Sequence, residues 1–259
     1  MKTILIYLNP LHPCVSLNVQ AQTLIIQDSF NTADNTDLNA DLSRQSGTAS
    51  TINWTEIEPK PTSNTAISSN QLLIGGSDFG QDYSAELSYD LGSNSSLTQY
   101  EEFIISFEIV SVANSYTSFA LNADPGQTRP AVDDTTNFGL LFLGSSLSVR
   151  SGTSGIASSS TPLTGLVELA ITTAAITSGT SYTVEMTYGG NVIDLNGGNT
   201  GTSYSGTWLQ DDLYLSFSSR SGNSIIDNFS VTAIPEPSFA ALFVGAIGGL
   251  MIARRKQRA

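Results

Sequence analysis

Carboxylates are the reactive groups this chain has in quantity: 23 Asp and Glu stand against ten Lys and Arg, one His and one Cys in 259 residues. The His is His12 and the Cys is Cys14, both within residues 1–21, which read as a removable leader. The body beyond has no histidine or thiol for a Ser-His-Asp triad, a cysteine nucleophile, a disulfide or a His/Cys zinc site. Paired carboxylates can hydrolyse glycosides when two of them sit about 5–9 Å apart across a cleft. On one strand that requires acids at alternating positions, and no Glu-x-Asp occurs. Glu56-Ile57-Glu58 runs into Pro59 and reads as a loop. Glu101, Glu102, Glu108, Glu168 and Glu185 stand at or within strand-like segments and read as solvated face residues. A tyrosine-based lyase would need a basic partner, and the body's single lysine is Lys60. Catalysis is therefore not expected.

Binding chemistry is better represented. Trp54, Trp208, Tyr204 and Tyr214 could offer aromatic platforms to a sugar, with Asp211-Asp212 beside Trp208. An indole in a sandwich is nonetheless more often core. Calcium, with six to eight hard oxygen ligands, is the cation that Asp- and Asn-rich loops suit. Asp37-Leu38-Asn39-Ala40-Asp41 has alternating oxygens but lacks the glycine and distal glutamate of a calcium loop. Asp133-Asp134 and Asp211-Asp212 read as solvated loop charges.

The elements that must position these groups are strands. Ser and Thr make roughly a quarter of the residues, far above ordinary usage, and the apolar segments are short, β-branched or aromatic, and separated by Gly, Asn, Asp and Ser. Tyr182–Tyr188 alternates apolar and polar, giving one buried and one wet face, and Gly189-Gly190 turns it into a hairpin. Phe103–Val110 is apolar at nearly every position and predicts a strand covered on both sides. Val192–Leu195 is a further candidate strand, while Asn122–Asn137 and Ser151–Pro162 read as long loops. For residues 22–233 the pattern predicts an all-β, two-sheet antiparallel β-sandwich, a jelly roll of about a dozen strands.

Between Asp28 and Glu236 lie all 23 acids and only five bases, a net charge of −18. Such a body repels nucleic acid and anionic lipid. The ends read as addresses. Residues 1–21 have a basic start, an apolar patch and a small residue, Ala21, before a cut, the form of a signal peptide. Residues 234–259 carry Pro235-Glu236-Pro237, sixteen uncharged residues 238–253 and the basic cluster Arg254, Arg255, Lys256 and Arg258. As a helix, 238–253 spans about 24 Å, enough for a single transmembrane helix once snorkelling arginines and local thinning close the gap to a hydrocarbon core of about 30 Å. The basic cluster then belongs inside and the acidic body outside.

This three-part tail resembles the PEP-CTERM sorting signal. The resemblance implies a Gram-negative source, export across the inner membrane, transient anchoring through the tail, and release to the surface or extracellular space by an exosortase. A second resemblance rests on Asp28-Ser29-Phe30-Asn31, Trp54-Thr55, Ile67–Leu73, Tyr182–Tyr188 and the closing Ile225–Val231. Their order is similar to the concanavalin A-like, or laminin-G-like, jelly rolls. That resemblance implies neighbouring first and last strands, and so makes Asp28 and Asp227 candidate ligands of a structural calcium; the other reading has each capping a turn. The expected function is a non-catalytic matrix, adhesion or carbohydrate-binding module, with Trp54, Trp208 and Tyr204 the sugar-binding candidates. A carboxylate-based glycan hydrolase and a purely structural biofilm component are the alternatives. Expected partners are the exosortase, extracellular polysaccharide and, before processing, the membrane, but not nucleic acid.

Overall fold

A computed structural model describes residues 22–49, 51–57, 65–76, 79–93, 102–160, 164–198 and 200–234. The leader, the sorting residues Pro235, Glu236, Pro237, Arg254, Arg255 and Lys256, the segment 238–253, and Glu58, Lys60 and Glu101 lie outside them. Among the described residues no helix is long and apolar enough to cross a membrane. The helical elements among the described residues are two short 3-10 turns, Leu42–Arg44 and Pro130–Val132.

The described strands, in chain order, are β1 (Thr23–Asp28), β2 (Gln45–Ser46), β3 (Trp54–Ile57), β4 (Ala66–Ser68), β5 (Gln71–Ile74), β6 (Asp82–Leu87), β7 (Glu102–Ser111), β8 (Tyr116–Asn122) and β9 (Thr136–Leu143). They continue as β10 (Ser146–Ser151), β11 (Ser154–Ser160), β12 (Gly165–Thr173), β13 (Ser181–Tyr188), β14 (Asn191–Val192), β15 (Tyr204–Thr207), β16 (Tyr214–Arg220) and β17 (Ser224–Ile234). They form two antiparallel sheets. Sheet A runs β14-β13-β12-β7-β17-β1-β2, with β15 beside β13 and the β4–β5 hairpin joined to β17; sheet B runs β11-β10-β9-β8-β16-β6-β3. The first and last strands pair, Thr23 opposite Ala233 and Asp28 opposite Phe229. The expected all-β, two-sheet sandwich is the observed architecture.

Period-two alternation builds the core between the sheets. Sheet A turns Phe103, Ile105, Phe107 and Ile109 of β7, Val184 of β13, and Phe229 and Val231 of β17 inward, and all are buried. Sheet B answers with Trp54, Leu87, Phe119, Leu121, Leu140 and Phe217. Each such side chain contributes roughly 1.5–3 kcal/mol by leaving water. Phe217 is the hub. Its ring lies 5.0 Å from Phe107, 5.5 Å from Phe119, 5.8 Å from Phe229 and 6.2 Å from Trp54. The core and both terminal strands fall within the compact unit Gln22–Glu236, so that unit contains what it needs to fold by itself.

Four expectations change. Strand β7 is central in sheet A but buries one face only, its outward residues being half-exposed. Ser154–Ser160 is a strand rather than loop: the turn at Gly152 (φ +55°) returns the chain along β10, and backbone hydrogen bonds carry an edge strand that side-chain propensity does not announce. Val192–Leu195 is strand only over Asn191–Val192. Glu56 and Ile57 belong to β3, paired with β6, rather than to a loop.

The middle of sheet B is buried on its outer face as well, and this positions the site. Strands β6 and β8 are buried at every residue. The outward side chains in the middle of the sheet are small, Ser84 of β6, Ser118 and Ala120 of β8, and Ser216 and Ser218 of β16, with Gly139 of β9 alongside. The segment 123–135 crosses over this floor. Ala131 packs on Tyr116, Ala120 and Leu141, and a Cβ on Gly139 would lie 2.9 Å from the Ala131 carbonyl oxygen. Bulk removed from the floor lets the crossing segment lie on it.

Candidate functional site

Glu86 of β6 points from this floor into a cleft of about 330 Å³ lined by Thr55, Glu86, Ser88, Pro125, Gly126 and Tyr214. It is 3% exposed. Both its carboxylate oxygens accept from one donor, the Gly126 backbone N–H, at 3.2 and 3.1 Å. At the rim, the Thr55 and Ser88 hydroxyls share a hydrogen bond of 2.5 Å. Burial pushes the Glu86 carboxyl up to about 7, against the pull of the Gly126 N–H.

The crossing segment is fastened at several points. Ser84 donates to the Gln127 carbonyl at 2.8 Å, and Thr136 donates to the Pro130 carbonyl at 2.5 Å. At the far end Asp82 takes Arg129 at 3.4 Å and Arg220 at 3.2 Å, and accepts the Tyr116 hydroxyl. Burial, and then the Asp82 carboxylate, hold the Tyr116 phenol above its ordinary range.

Around the cleft mouth acids from three separate stretches meet. Asp90 accepts the backbone N–H groups of Gly92 and Leu213 at 2.8 Å and that of Ser93 at 3.1 Å, tying the segment before β16 to the end of β6. A Cβ on Gly92 would lie 1.8 Å from the Asp211 carbonyl oxygen, so only glycine permits this approach. Asp124 accepts from Gln210 at 3.2 Å, and Asp211 from the Ser178 N–H at 2.8 Å. Asp90 is the main cause of the raised Asp212 carboxyl pKa, with Asp211 and Asp124 adding to it. Burial, followed by Asp90, Asp212, Glu86 and Asp124, raises the Tyr214 phenol.

Glu86 makes stability pH-dependent. From pH 4.5 to about 7 the native chain keeps a proton that the unfolded chain releases, so stability falls as pH rises through this window. The loss is about 1–3 kcal/mol above pH 7. Glu86→Gln is expected to be more stable than the parent by that amount at pH 8 and equal to it at pH 4. Urea unfolding at both pH values measures the difference, and equal parent and variant stabilities at pH 8 would contradict the assignment.

The sequence-derived candidates lie elsewhere. Asp28 is fully buried, and its oxygens accept from Phe30 N, Arg44 Nε, Gln45 Nε2 and Trp54 Nε1, all at 2.8–2.9 Å. An arginine already neutralises it, so Asp28 is a core anchor rather than an open calcium ligand. Asp227 accepts from Gln71 at 3.3 Å and from Asn228 N at 2.8 Å, and pairs with Glu108 on the outward face of sheet A. The two strands are neighbours, but the two carboxylates face opposite sides of the sheet. Among the described residues no three Asp, Glu, His or Cys side chains converge as a metal site.

Trp54 and Trp208 are 2% and 1% exposed and serve the core rather than a sugar platform. Trp54 donates to Asp28 and packs on Phe30 and Phe229. Trp208 stacks on Tyr182 at 4.0 Å and donates to Thr173 at 3.0 Å. Tyr204 is half-buried against Phe138 and Tyr182. Tyr214 is the one aromatic of the four that lines the Glu86 cleft. Glu168 and Glu185 share a smaller cleft of about 220 Å³ on the outer face of sheet A, and Glu108 accepts from Asn228 at 3.1 Å. Glu102 is half-exposed at the start of β7.

Glu86 was not among the sequence candidates. Its signal is the outward series Asp82, Ser84, Glu86 on β6 beside Ser216 and Ser218 on β16: a polar row with little bulk, which a covering segment can make dry.

No family model and no curated protein matches the chain. Among solved structures it is similar to a Bacillus subtilis protein of unknown function with a galectin-like fold, at 9% identity and TM-score 0.49, over 83% of this chain and 99% of that one. It is also similar to arcelin-5, a lectin-like defence protein of Phaseolus vulgaris, at 13% identity and TM-score 0.46, with the same coverage. The Lotus tetragonolobus seed lectin is similar at 14% identity and TM-score 0.45, over 79% and 99%. The two-sheet sandwich itself rests on the strand pairing described above.

Proposed function

We propose that this chain is an exported module, sorted to the cell surface through residues 234–259, that binds a glycan in the cleft over Glu86 without turning it over. The observation that carries this reading is the Glu86 carboxylate: buried, with one backbone donor among the described residues, and facing a cleft that also has the Tyr214 ring and the Thr55 and Ser88 hydroxyls. A carboxylate accepts sugar hydroxyls, and an aromatic ring covers their C–H face. The route is supported by the tail: Pro235-Glu236-Pro237, the apolar segment 238–253, and Arg254, Arg255 and Lys256.

The test is to produce the full chain in a Gram-negative host with an exosortase, weigh the surface fraction, and apply it to a glycan array. The expected product lacks both ends and binds at least one glycan in a manner abolished by Tyr214→Ala. Retention of the tail would overturn the sorting reading, and an array without hits would overturn the binding reading. Release of new reducing ends would instead assign hydrolysis, with Glu86, protonated up to about pH 7, as the proton donor.

A further inference from the structure

We propose that the Glu86 cleft selects a cationic amino sugar, its protonated amine set against the Glu86 carboxylate and its ring against Tyr214. The proposal rests on the glycan-binding reading above and names the class of glycan. The cleft is of a size, about 330 Å³, that falls within the roughly 300–1,000 Å³ of small-ligand sites.

The charge inventory decides the class. Among the described residues Glu86 receives one backbone N–H, shared by its two oxygens, and no cation. Every described arginine is engaged elsewhere: Arg44 with Asp28, Arg129 and Arg220 with Asp82, and Arg150 with the Thr153 carbonyl. Arg150 shares the outward row of Glu86, but β16, β8 and β9 stand between them. The Tyr214 hydroxyl lies instead in the field of Asp90, Asp212, Glu86 and Asp124.

A buried carboxyl that ionises without a counter-charge is costly, and a ligand that supplies the charge lets it ionise and gains a charge-assisted hydrogen bond. A neutral sugar supplies only hydroxyl donors. A uronate brings a further anion into a ring of anions and is repelled. Burial already holds the Glu86 carboxyl near 7, so an arriving ammonium also draws its proton away. Thr55 and Ser88 at the rim can then pair with the sugar's hydroxyls.

The experiment titrates the unit Gln22–Glu236 by calorimetry at pH 6.5 in EDTA, with three tetramers: glucosamine, its fully N-acetylated form, and galacturonate. The glucosamine tetramer is expected to bind about tenfold or more tightly than the acetylated one, with no binding of the uronate. Glu86→Gln is expected to remove the preference, and Asp212→Asn, an exposed change that spares the fold, to reduce it. Equal affinities for the free and acetylated tetramers, with loss of both in Tyr214→Ala, would overturn the amine assignment and leave glycan binding standing. No binding of any tetramer would overturn both. A preference that survives both Glu86→Gln and Asp212→Asn would mean bulk attraction to an acidic body, and would also overturn the proposal. Binding restored only when calcium replaces EDTA would mean a bridging cation, with the same consequence.

Discussion

Arg44→Met is expected to lower the unfolding free energy by about 3–5 kcal/mol, because it leaves a buried carboxylate without its counter-charge. Arg44 is nearly as buried as Asp28, and its Nε lies 2.8 Å from Asp28 Oδ1. Its Nη atoms donate to the carbonyls of Asp41 and Leu38, so the side chain also closes the loop between β1 and β2. Three neutral donors would remain on Asp28, from Phe30, Gln45 and Trp54, and these cannot replace a positive charge. For a chain of this size the expected fall in Tm is roughly 6–20 °C. Adding Asp28→Asn removes the orphaned charge and should recover part of the loss. A decrease below about 1 kcal/mol in urea unfolding would show that the pair contributes no more than a surface ion pair.

Phe217→Ala is expected to cost a similar amount, about 3–5 kcal/mol, through the cavity it leaves. The ring is fully buried and contacts Trp54, Phe107, Phe119 and Phe229, which belong to both sheets and cannot all collapse into the vacated space. Phe217→Leu should retain more than half of the lost stability, since most of the volume is kept. The two sites are coupled. Trp54 donates to Asp28 and packs on Phe217, so the double variant Arg44→Met/Phe217→Ala should deviate from additivity by more than about 0.5 kcal/mol. Additive behaviour within that margin would mean that Trp54 does not transmit strain between them.

Trp54 also shows why sequence reading leaves two roles open. An indole beside Thr55 and Glu56 on a short segment is compatible with a sugar surface or with a core. Only the pairing of β3 with β6, and the placing of Asp28 beneath it, turns the ring inward. Asp28 and Asp227 were correctly expected on neighbouring strands, since β1 and β17 pair. A β-bulge in β1 and the irregular register of β17 help set which way each carboxylate faces, and no spacing in the sequence records those.

The sequence by itself determined the strand content, through alternation such as Tyr182–Tyr188, and it excluded His- and Cys-based chemistry from the body by composition. It determined the two-sheet sandwich as well, because short alternating segments with one apolar face, in a body without a helical pattern, are buried against a second sheet. Only the tertiary structure decided which polar groups are dry. Glu86 sits in an ordinary half-polar strand pattern. It becomes a buried carboxylate because segment 123–135, within the Asn122–Asn137 stretch that reads as a long loop, lies across the serine floor of sheet B and sets Gly126 over it. Burial is a property of what lies on top of a residue, and for Glu86 that neighbour is 40 residues away in the chain.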